Sequence, residues 1–326
     1  MILALIEQER GGAISPLTLQ MLAYARTLAA AAGAPIHAVA IGGDGHSLAG
    51  SLARQGVAHV YRFNHASLTA YAPAAWARCM ACIIAEHRPA IVIAAATDRG
   101  NELLAWVGAI AGLPLAVNCL DVKPGEPFRV LRQRYGGSLL EEANLHGSPK
   151  LVTTALHVFE AAEADSSASI TVETMSDPAE AKDLRAQVAA CEETNSGGIN
   201  LHTARVVVGG GRGVGSAEGF RVLEELAGAI DGAVGGSRVA TNNGWRPHAV
   251  QVGLTGNRIA PDLYIACGIS GAIQHQVGCK GAKRILVINK DREAPFFRRA
   301  DYGVVGDLHE ILPALTEEIR KQKQGD

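Results

Sequence analysis

The sequence predicts a two-domain α/β protein in which parallel strands alternate with helices. Three observations lead to this fold class. Apolar runs of strand length alternate with segments of helical periodicity along the first half of the chain, which is the pattern of βαβ units. The same alternation begins again near residue 204. Between the halves, a polar stretch ends in Thr194-Asn195-Ser196-Gly197-Gly198, a composition typical of linkers.

The first half is expected to form an N-terminal, nucleotide-fold-like α/β domain. The predicted strands cover 1–6, 36–41, 57–61, 90–95 and 151–158. The predicted helices cover 16–32, 46–55, 67–87 and 100–112. Proline occurs between the predicted elements, at Pro35, Pro89 and Pro114. This position is expected of a residue that interrupts helices and strands. Segment 120–150 is richer in Gly, Pro and charged residues, which predicts hairpins or loops. Segment 159–200 has an amino-acid composition typical of a linker.

The second half restarts the same pattern. A strand at Arg205–Val208 leads into a glycine loop at Gly209–Gly215, and a helix at Ser216–Ile230 follows with Ser216 as its N-cap. Further strands are predicted at 262–267, 284–288 and 303–305, with Arg238 also placed on a strand, and a final helix at 307–322. The glycine loop has Ser216 at the third glycine position of G-x-G-x-x-G, so it does not predict a standard NAD site.

Size, charge and hydropathy narrow the class of protein. The 326 residues suffice for two domains, predicted at 1–189 and 204–326 with a linker at 190–203. A formal net charge of −2 gives no strong field for nucleic acid or anionic lipid. No apolar run reaches the roughly 20 residues that span a bilayer, and the N-terminus predicts a strand rather than a signal peptide. These features favour a cytoplasmic protein without membrane insertion.

Six cysteines are scattered along the chain, and Cys79-Met80-Ala81-Cys82 has C-x-x-C spacing. This pair lies inside an apolar helical pattern, and no second Cys/His pair at zinc spacing accompanies it. We therefore interpret both thiols as core residues, because free cysteine packs as a small hydrophobe. The alternatives are a metal or redox site, and no metal site is predicted.

The most informative segment is the loop Gly268–His275, which follows an apolar strand. Such a strand-to-helix turn can offer backbone N–H groups and a helix N-terminus to a phosphate, and its glycines allow close approach. Ser270 can donate a hydrogen bond to an oxyanion, and Gln274 and His275 could reach a ring oxygen of a cofactor. The alternative is a purely structural turn.

Other polar groups are expected near the same edge of the second sheet. They occur at Arg212, at Gly236-Ser237-Arg238, at Gln251–Gly256, at Asn289-Lys290-Asp291, and at Asp301 and Asp307. Because open α/β sheets hold nucleotides at the carboxyl ends of their strands, this mixture suits pyrophosphate, ribose and a polar heterocycle. It lacks a carboxylate dyad, a hydrolytic triad and a metal cage. Taken singly, Arg238 and His275 could instead be solvated or structural residues.

Residues 204–326 resemble the α subunit of an electron-transfer flavoprotein. The resemblance rests on GGGRGVGS (209–216), GGSR (235–238), QVGLTG (251–256), PDLYIACGISGAIQH (261–275), INKDREAPFFRRADYGVVGDL (288–308) and the final helix. Residues 1–185 resemble that family's N-terminal domain more loosely. The resemblance implies a doubly wound, FAD-binding C-terminal domain and an obligate heterodimer with a β subunit. It also implies a flavin dehydrogenase as electron donor and a quinone reductase as acceptor.

The resemblance further implies which residues form the FAD site. They are Arg212, Ser237, Arg238, Gln251, Val252, Gly253, Leu254, Thr255, Ser270, Gly271, Ala272, Ile273, Gln274, His275, Asn289, Asp307 and Leu308. Arg238, Thr255 and His275 are expected to tune the flavin, with the positive charge of Arg238 favouring an anionic semiquinone. Ser270 and the amides after it would hold the pyrophosphate, and Asn289 and Asp307 would address the adenosine half.

The expected function is that of an electron carrier rather than an enzyme with its own substrate. Two alternatives stay open: a subunit of a bifurcating, NADH-oxidising flavoprotein, and a nucleotide-binding scaffold without redox work. Leu254 and Asn242 stand where the family usually has a glutamine and an acidic residue. Segment Tyr135–Asn144 also departs from the family's common pattern, which suggests a specialised partner.

Overall fold

The parallel strands predicted for both halves of the chain form two separate sheets in the computed structural model. The structure describes residues 1–9, 11–42, 45–137, 139–164, 169–190, 201 and 203–325. The chain divides into two units, Met1–Glu193 and Thr194–Asp326. Of the linker predicted at 190–203, most residues lie outside the described part of the chain, so the linker and the domain boundaries stay predictions.

The N-terminal sheet has nine strands within the described residues, in the order β7-β6-β5-β8-β4-β1-β2-β3-β9. They are β1 (Ile2–Ile6), β2 (Ile36–Ile41), β3 (Val57–Phe63), β4 (Ile91–Ala95), β5 (Leu115–Lys123), β6 (Arg129–Arg134), β7 (Leu139–Asn144), β8 (Lys150–Thr154) and β9 (Thr171–Thr174). Strands β5, β6 and β7 pair antiparallel, which confirms the hairpins predicted for 120–150. The remaining pairs are parallel.

Four helices of this unit are α1 (Pro16–Ala32), α2 (Gly45–Arg54), α3 (Pro73–His87) and α4 (Asp98–Ala111) among the residues described. Helix α3 begins at Pro73 rather than at 67, because 66–68 forms a separate 3₁₀ turn and proline suits the first helical position. Helix α4 begins two residues earlier than predicted. The Thr97 hydroxyl accepts a hydrogen bond from the Gly100 N–H at 2.8 Å and caps this helix.

Side chains of β1 alternate between the two faces of the N-terminal sheet. Ile2 and Ile6 belong to one buried cluster, into which Met21 of α1 packs. Leu3 belongs to a second cluster, which includes Ile83 of α3. Helices therefore cover both faces, the arrangement that parallel sheets require. This unit has the α/β fold predicted from the sequence.

The interpretation of 159–200 as linker is wrong for part of that segment. Thr171–Thr174 forms β9 and pairs in parallel with β3. Asp183 is buried and pairs with Arg78 of α3 at 3.3 Å. Strand β9 lies at the edge of the sheet and its side chains are largely exposed, so it needs no apolar face. A polar edge strand of this kind lacks the hydrophobic pattern that reveals a strand in a sequence.

The C-X-X-C cysteines lie on α3. Cys79 is fully buried in the cluster that contains Leu3, and burial raises the pKa of its thiol. Cys82 is half-buried and, like Cys79, is a free thiol. The protonated, buried thiol of Cys79 suits packing better than nucleophilic or redox chemistry, because the thiolate is the reactive form.

Replacing both Cys79 and Cys82 with alanine is expected to lower the free energy of unfolding by about 1–3 kcal/mol, because a buried side chain leaves a cavity. The binding of FAD that the resemblance implies should not change. The matched control is Cys119→Ala, which removes an equally buried thiol outside the C-X-X-C pair. Denaturant unfolding and flavin absorbance test this; loss of bound flavin in the double variant alone would contradict the packing role.

The C-terminal sheet is parallel throughout its described strands, in the order β11-β10-β12-β13-β14. They are β10 (Val206–Gly210), β11 (Ala233–Gly236), β12 (Leu263–Cys267), β13 (Arg284–Asn289) and β14 (Tyr302–Val305). The chain moves outward from β10 to β11 and then returns to β12 on the other side. This is the doubly wound arrangement predicted, with its topological switch point between β10 and β12.

The helices of the C-terminal unit are α5 (Arg221–Ala229), α6 (Arg238–Asn242), α7 (Ile273–Gly278) and α8 (Leu308–Gly325). Arg238 begins α6, so its predicted place on a strand is wrong. The Ser237 hydroxyl accepts a hydrogen bond from the Ala240 N–H at 3.4 Å, which caps the helix and ends the strand before it. The helix predicted at Ser216–Ile230 with Ser216 as its N-cap is wrong at its start, because a 3₁₀ turn at Glu218–Phe220 comes first and α5 begins only at Arg221. The Ser216 hydroxyl accepts a hydrogen bond from the Gly219 N–H at 3.1 Å within that turn.

Helix α8 packs one apolar face against the C-terminal sheet. Leu308 and Leu312 are buried in a cluster that includes Phe220. On the opposite face, Glu317 and Lys321 form an exposed ion pair at 2.7 Å. The charged outer face is that of a surface helix. Among the described helices, none is long and apolar enough to cross a bilayer.

Candidate functional site

A cavity of about 690 Å³ lies beside the carboxyl ends of β10 to β13. This position contains the switch point between β10 and β12, where open α/β sheets bind their ligands. The volume falls within the range of about 300–1,000 Å³ that small-molecule and cofactor sites occupy. The loops that follow these four strands supply most of the lining residues. All of the lining residues belong to the C-terminal unit.

Two glycine loops cross at the switch point. The N–H of Gly211 donates to the carbonyl of Cys267, and that of Gly213 donates to the carbonyl of Gly268, each at 2.9 Å. A Cβ on Gly213 would lie 2.7 Å from the Gly268 Cα. Gly268 also has φ = +61°, a conformation that other residues adopt reluctantly. The glycines are therefore needed for the two loops to approach and form this wall of the cavity.

Helix α7 packs closely on the turn 251–256. The N–H of Leu254 donates to the carbonyl of Gln274 at 2.7 Å. A Cβ on Gly278 would lie only 2.2 Å from the Gly253 nitrogen. This contact places His275 of α7 among the residues that line the cavity.

Two arginines with unpaired guanidinium groups line the cavity. Arg212 and Arg238 are exposed, and neither side chain has a hydrogen bond or an ion pair to any residue that the structure describes. Among the described residues that line the cavity, Asp291 is the one acidic side chain. Its Oδ1 accepts a hydrogen bond from the Glu293 N–H at 3.0 Å. The cavity thus contains two guanidinium groups that can bind a ligand and one carboxylate that already accepts a backbone hydrogen bond. This excess of positive charge favours an anionic ligand.

The loop between β12 and α7 presents further donors. Within the described structure, the backbone N–H groups of Ser270, Gly271 and Ala272 donate no hydrogen bond. Ser270 is exposed and adds a hydroxyl. Consecutive backbone N–H groups without internal partners can bind phosphates where they face a common ligand.

His275 is buried, with 7% of its surface exposed. Its Nε2 lies 2.7 Å from the Tyr264 hydroxyl. Its Nδ1 is buried and has no partner at hydrogen-bond distance and angle among the described residues, although the Val252 backbone is near enough to raise the pKa of the ring. Burial lowers the pKa of His275 to about 4, an effect that the Val252 backbone partly offsets. The ring is therefore neutral near pH 7, and its Nδ1 is a buried polar atom that a ligand could satisfy.

The lowered pKa of His275 predicts that stability falls in acid. Between its folded value near 4 and its ordinary value near 6.5, the unfolded chain binds more protons, so the free energy of unfolding decreases as pH falls through this window. The loss due to His275 should reach at most about 3 kcal/mol at pH 4. Above about pH 7 the group contributes no pH dependence.

Denaturant unfolding of wild type and His275→Gln between pH 7.5 and about pH 4.5 tests this prediction. The variant should have a shallower loss of stability in acid. Some slope should persist in the variant, because burial also lowers the pKa of His37 to about 4. Identical slopes for the two proteins would show that His275 is not the buried, neutral group described above.

A polar network fixes the turn that contains Thr255. The Gln251 Nε2 donates to the Thr255 hydroxyl oxygen at 3.1 Å, and the Thr241 hydroxyl lies 2.7 Å from the Gln251 Oε1. His248 Nδ1 lies 3.3 Å from the same Oε1. The Gln251 side chain is thus engaged within the protein. Because Thr255 accepts from Gln251, its hydroxyl proton is available to a ligand.

Most of the site residues predicted from the sequence come together in this cavity. Those that line it are Arg212, Ser237, Arg238, Gln251, Val252, Gly253, Leu254, Thr255, Ser270, Ala272, Gln274, His275 and Asn289. The Asn289 amide is already engaged, since it donates to the Ile269 carbonyl and accepts from the Asp291 N–H, each at 3.1 Å. It holds the neighbouring loops in place.

Four of the residues predicted to contact FAD lie outside the lining. Asp301, which was also expected at this edge, instead pairs with Arg284 at the amino end of β13. Gly271 packs against the Phe296 backbone, and Ile273 is 70% exposed at the start of α7. Asp307 pairs with Lys290 at 2.8 Å, and this lysine lowers the pKa of its carboxyl group. Leu308, the first residue of α8, is buried in the cluster that includes Phe220. Their contact with a ligand stays a prediction.

The predicted set omits several lining residues: Gly211, Gly213, Val239, Asn242, Gly268, Ile269 and Asp291. The glycines and Ile269 lie within motifs already recognised, so extending those motifs by a few residues would have included them. Val239 and Asn242 lie on α6, a helix that the sequence did not reveal because it spans only Arg238–Asn242. A short helix offers no hydrophobic periodicity to read.

Family comparisons match both units of the chain. Residues 200–280 match the model described as "Electron transfer flavoprotein FAD-binding domain". Residues 2–180 match the model described as "Electron transfer flavoprotein domain". The first of these ranges contains most of the cavity lining.

Curated relatives are similar over nearly the whole chain. One from Mycobacterium tuberculosis is 37% identical over 99% of each chain. One from Bacillus subtilis is 35% identical over 96% of this chain and 95% of its own. One from Thermoanaerobacterium thermosaccharolyticum is 33% identical over 97% of each chain. All three are named electron transfer flavoprotein subunit alpha.

Proposed function

The chain belongs to the electron-transfer flavoprotein α-subunit family, and we propose that it holds FAD in the cavity beside β10–β13 and carries electrons one at a time. FAD is the cofactor of the matched C-terminal domain. The observation that supports this site most strongly is the presence, in one cavity, of two arginines and a buried His275 Nδ1 that have no hydrogen-bond partner among the residues the structure describes.

The residues that line the cavity suit both ends of FAD. The free N–H groups of 270–272 and the Arg212 guanidinium would hold the two phosphates, since each supplies hydrogen bonds to anionic oxygens. Val239 and Leu254 offer apolar surface to the isoalloxazine ring. The Thr255 hydroxyl and His275 Nδ1 would meet polar atoms at the edge of that ring.

Bound FAD supplies the capacity to accept and release single electrons. Arg238 provides the permanent positive charge of the site, because its guanidinium has no carboxylate partner among the described residues. That charge stabilises negative charge added to the ring and so raises the first reduction potential. His275 is the second polar side chain proposed to contact the flavin ring. It donates or accepts a hydrogen bond but carries no charge near pH 7.

The chain is proposed to act as one half of a heterodimer with a β subunit. The relatives' shared name, subunit alpha, implies at least one further subunit in those proteins. Beside the cavity, Val239, Leu254 and Ile273 are apolar yet 42%, 39% and 70% exposed. A β subunit that covers them would shield the flavin from water. A flavin dehydrogenase would donate electrons, and a quinone reductase would accept them.

Co-expression with the β subunit, followed by size-exclusion chromatography and flavin quantification, tests this function. We expect a heterodimer with one FAD, whereas the α chain produced alone should be aggregated or poor in FAD. Two FAD per heterodimer would favour the bifurcating alternative over the simple carrier. A monodisperse, fully flavinated α chain would contradict the heterodimer, and a flavin-free heterodimer would contradict the FAD site.

A further inference from the structure

Tyr264 of β12 lies directly behind His275. Its side chain is fully buried, and its hydroxyl oxygen lies 2.7 Å from the His275 Nε2. Within the described chain, this is the hydroxyl's sole hydrogen-bond partner. Tyr264 does not line the cavity, so it acts on a ligand only through His275.

The neighbouring backbone holds this pair in place. A Cβ on Gly209 of β10 would lie 2.0 Å from the Tyr264 hydroxyl oxygen, so the strand admits the hydroxyl only because residue 209 is glycine. The buried Phe296 ring meets the His275 ring edge-on, with centroids 5.9 Å apart. The imidazole is thus held between a fixed phenol and a fixed aromatic ring.

The direction of the hydrogen bond follows from counting protons. If Nε2 donated to the phenol oxygen, the phenol's own proton would be buried without an acceptor, at the cost of an unsatisfied donor. If the phenol donates to Nε2, one donor, Nδ1–H, still lacks a close partner among the described residues, but no acceptor of the pair is left over. The Val252 backbone, whose interaction with the ring raises the pKa of His275, also favours a ring N–H on the side away from Tyr264. Burial raises the pKa of Tyr264 and lowers that of His275 to about 4, so both groups stay neutral.

We propose that Tyr264 is a positioning residue that holds His275 in its Nδ1–H tautomer, so that the imidazole presents a hydrogen-bond donor to the bound flavin. The second half of this statement rests on the proposed function, whereas the tautomer itself does not. Tyr264 would thereby select acceptor atoms, such as a carbonyl oxygen, for the part of the ligand that meets His275.

The test is ¹⁵N NMR of histidine-labelled α chain in the α–β complex, before and after FAD is removed. Nδ1 of His275 should give the signal of a protonated nitrogen and Nε2 that of an unprotonated one, with His275→Gln used to assign both. In Tyr264→Phe the two signals should move towards each other as the proton redistributes. A protonated Nε2 in wild type, or unchanged signals in Tyr264→Phe, would overturn the proposal.

FAD titration provides the second readout. Tyr264→Phe should weaken FAD binding about two- to tenfold, the scale of one hydrogen bond. The matched control is Tyr61→Phe, which removes the hydroxyl of a buried tyrosine 3.2 Å from His37 Nδ1 in the other unit and should leave FAD affinity unchanged. Unchanged affinity in Tyr264→Phe would overturn the flavin half of the proposal. Failure of the proposed function would appear separately, as wild-type complex that binds no FAD.

Discussion

Replacing Arg238 with alanine is expected to lower the potential at which bound FAD takes up its first electron by tens of millivolts to somewhat above a hundred. The variant removes from the cavity a positive charge that has no ion-pair partner among the described residues. Two unit charges about 4 Å apart interact by about 1 kcal/mol in water and about 4 kcal/mol near a protein surface. For a one-electron couple, ~59 mV corresponds to ~1.4 kcal/mol. Redox titration of the α–β complex measures the shift.

Two further variants separate charge from general damage to the site. Arg238→Lys should recover part of the potential, because the charge returns but the planar guanidinium does not. Arg246→Ala removes a cation that does not line the cavity. The Arg246 guanidinium lies over the Phe220 ring and pairs with Glu224. This variant should cost stability without changing the potential. Wild-type potentials in Arg238→Ala would show that this residue does not lie against the flavin.

Gly271→Ala is expected to lower the free energy of unfolding by about 2–5 kcal/mol and to weaken FAD binding at least about tenfold. Gly271 has φ = +85°, which costs about 1–2 kcal/mol for other residues. An added Cβ would also lie 2.6 Å from the Phe296 nitrogen, and overpacking typically adds about 1–3 kcal/mol. The loop must shift to relieve this contact, and the free N–H groups of 270–272 shift with it.

The matched control for this substitution is Gly228→Ala in α5. A Cβ at Gly228 would meet nothing within 4 Å, and alanine favours a helix by about 1 kcal/mol over glycine. This variant should be slightly more stable than wild type and bind FAD normally. Denaturant unfolding and FAD titration of both variants test the pair. Normal FAD affinity in Gly271→Ala would contradict the role of the loop.

The buried strands of both sheets were predictable because their apolar runs are short and are bounded by turn residues. The runs at Ile36–Ile41 and Ile91–Ala95 are buried in the structure much as predicted. The edge strand β9 was not predictable, since Thr171–Thr174 is largely exposed and polar. The start of α3 at Pro73 was misplaced because apolar periodicity extends into the preceding 3₁₀ turn. Local hydrophobicity therefore reports burial better than it reports element boundaries.

The candidate site was predictable where a motif fixes both the backbone and the chemistry, as in the loop 268–275. Hydrogen bonds between side chains of different helices, strands and turns were not predictable from the sequence. The sequence did not indicate that Gln251 would be engaged by Thr241 and Thr255. Nor did it show that Tyr264 on β12 would meet His275 on α7. Such contacts depend on how β12 and α7 pack, which a single sequence does not specify.

The most direct test of the account is the crystal structure of the purified α–β complex with its flavin. We predict electron density for the isoalloxazine ring in the cavity beside β10–β13. The Arg238 guanidinium should lie against that ring, and the Thr255 hydroxyl and His275 Nδ1 should lie within hydrogen-bonding distance of its polar atoms. The phosphates should lie at the N–H groups of 270–272. A flavin bound elsewhere in the complex, with this cavity filled only by water, would contradict the account.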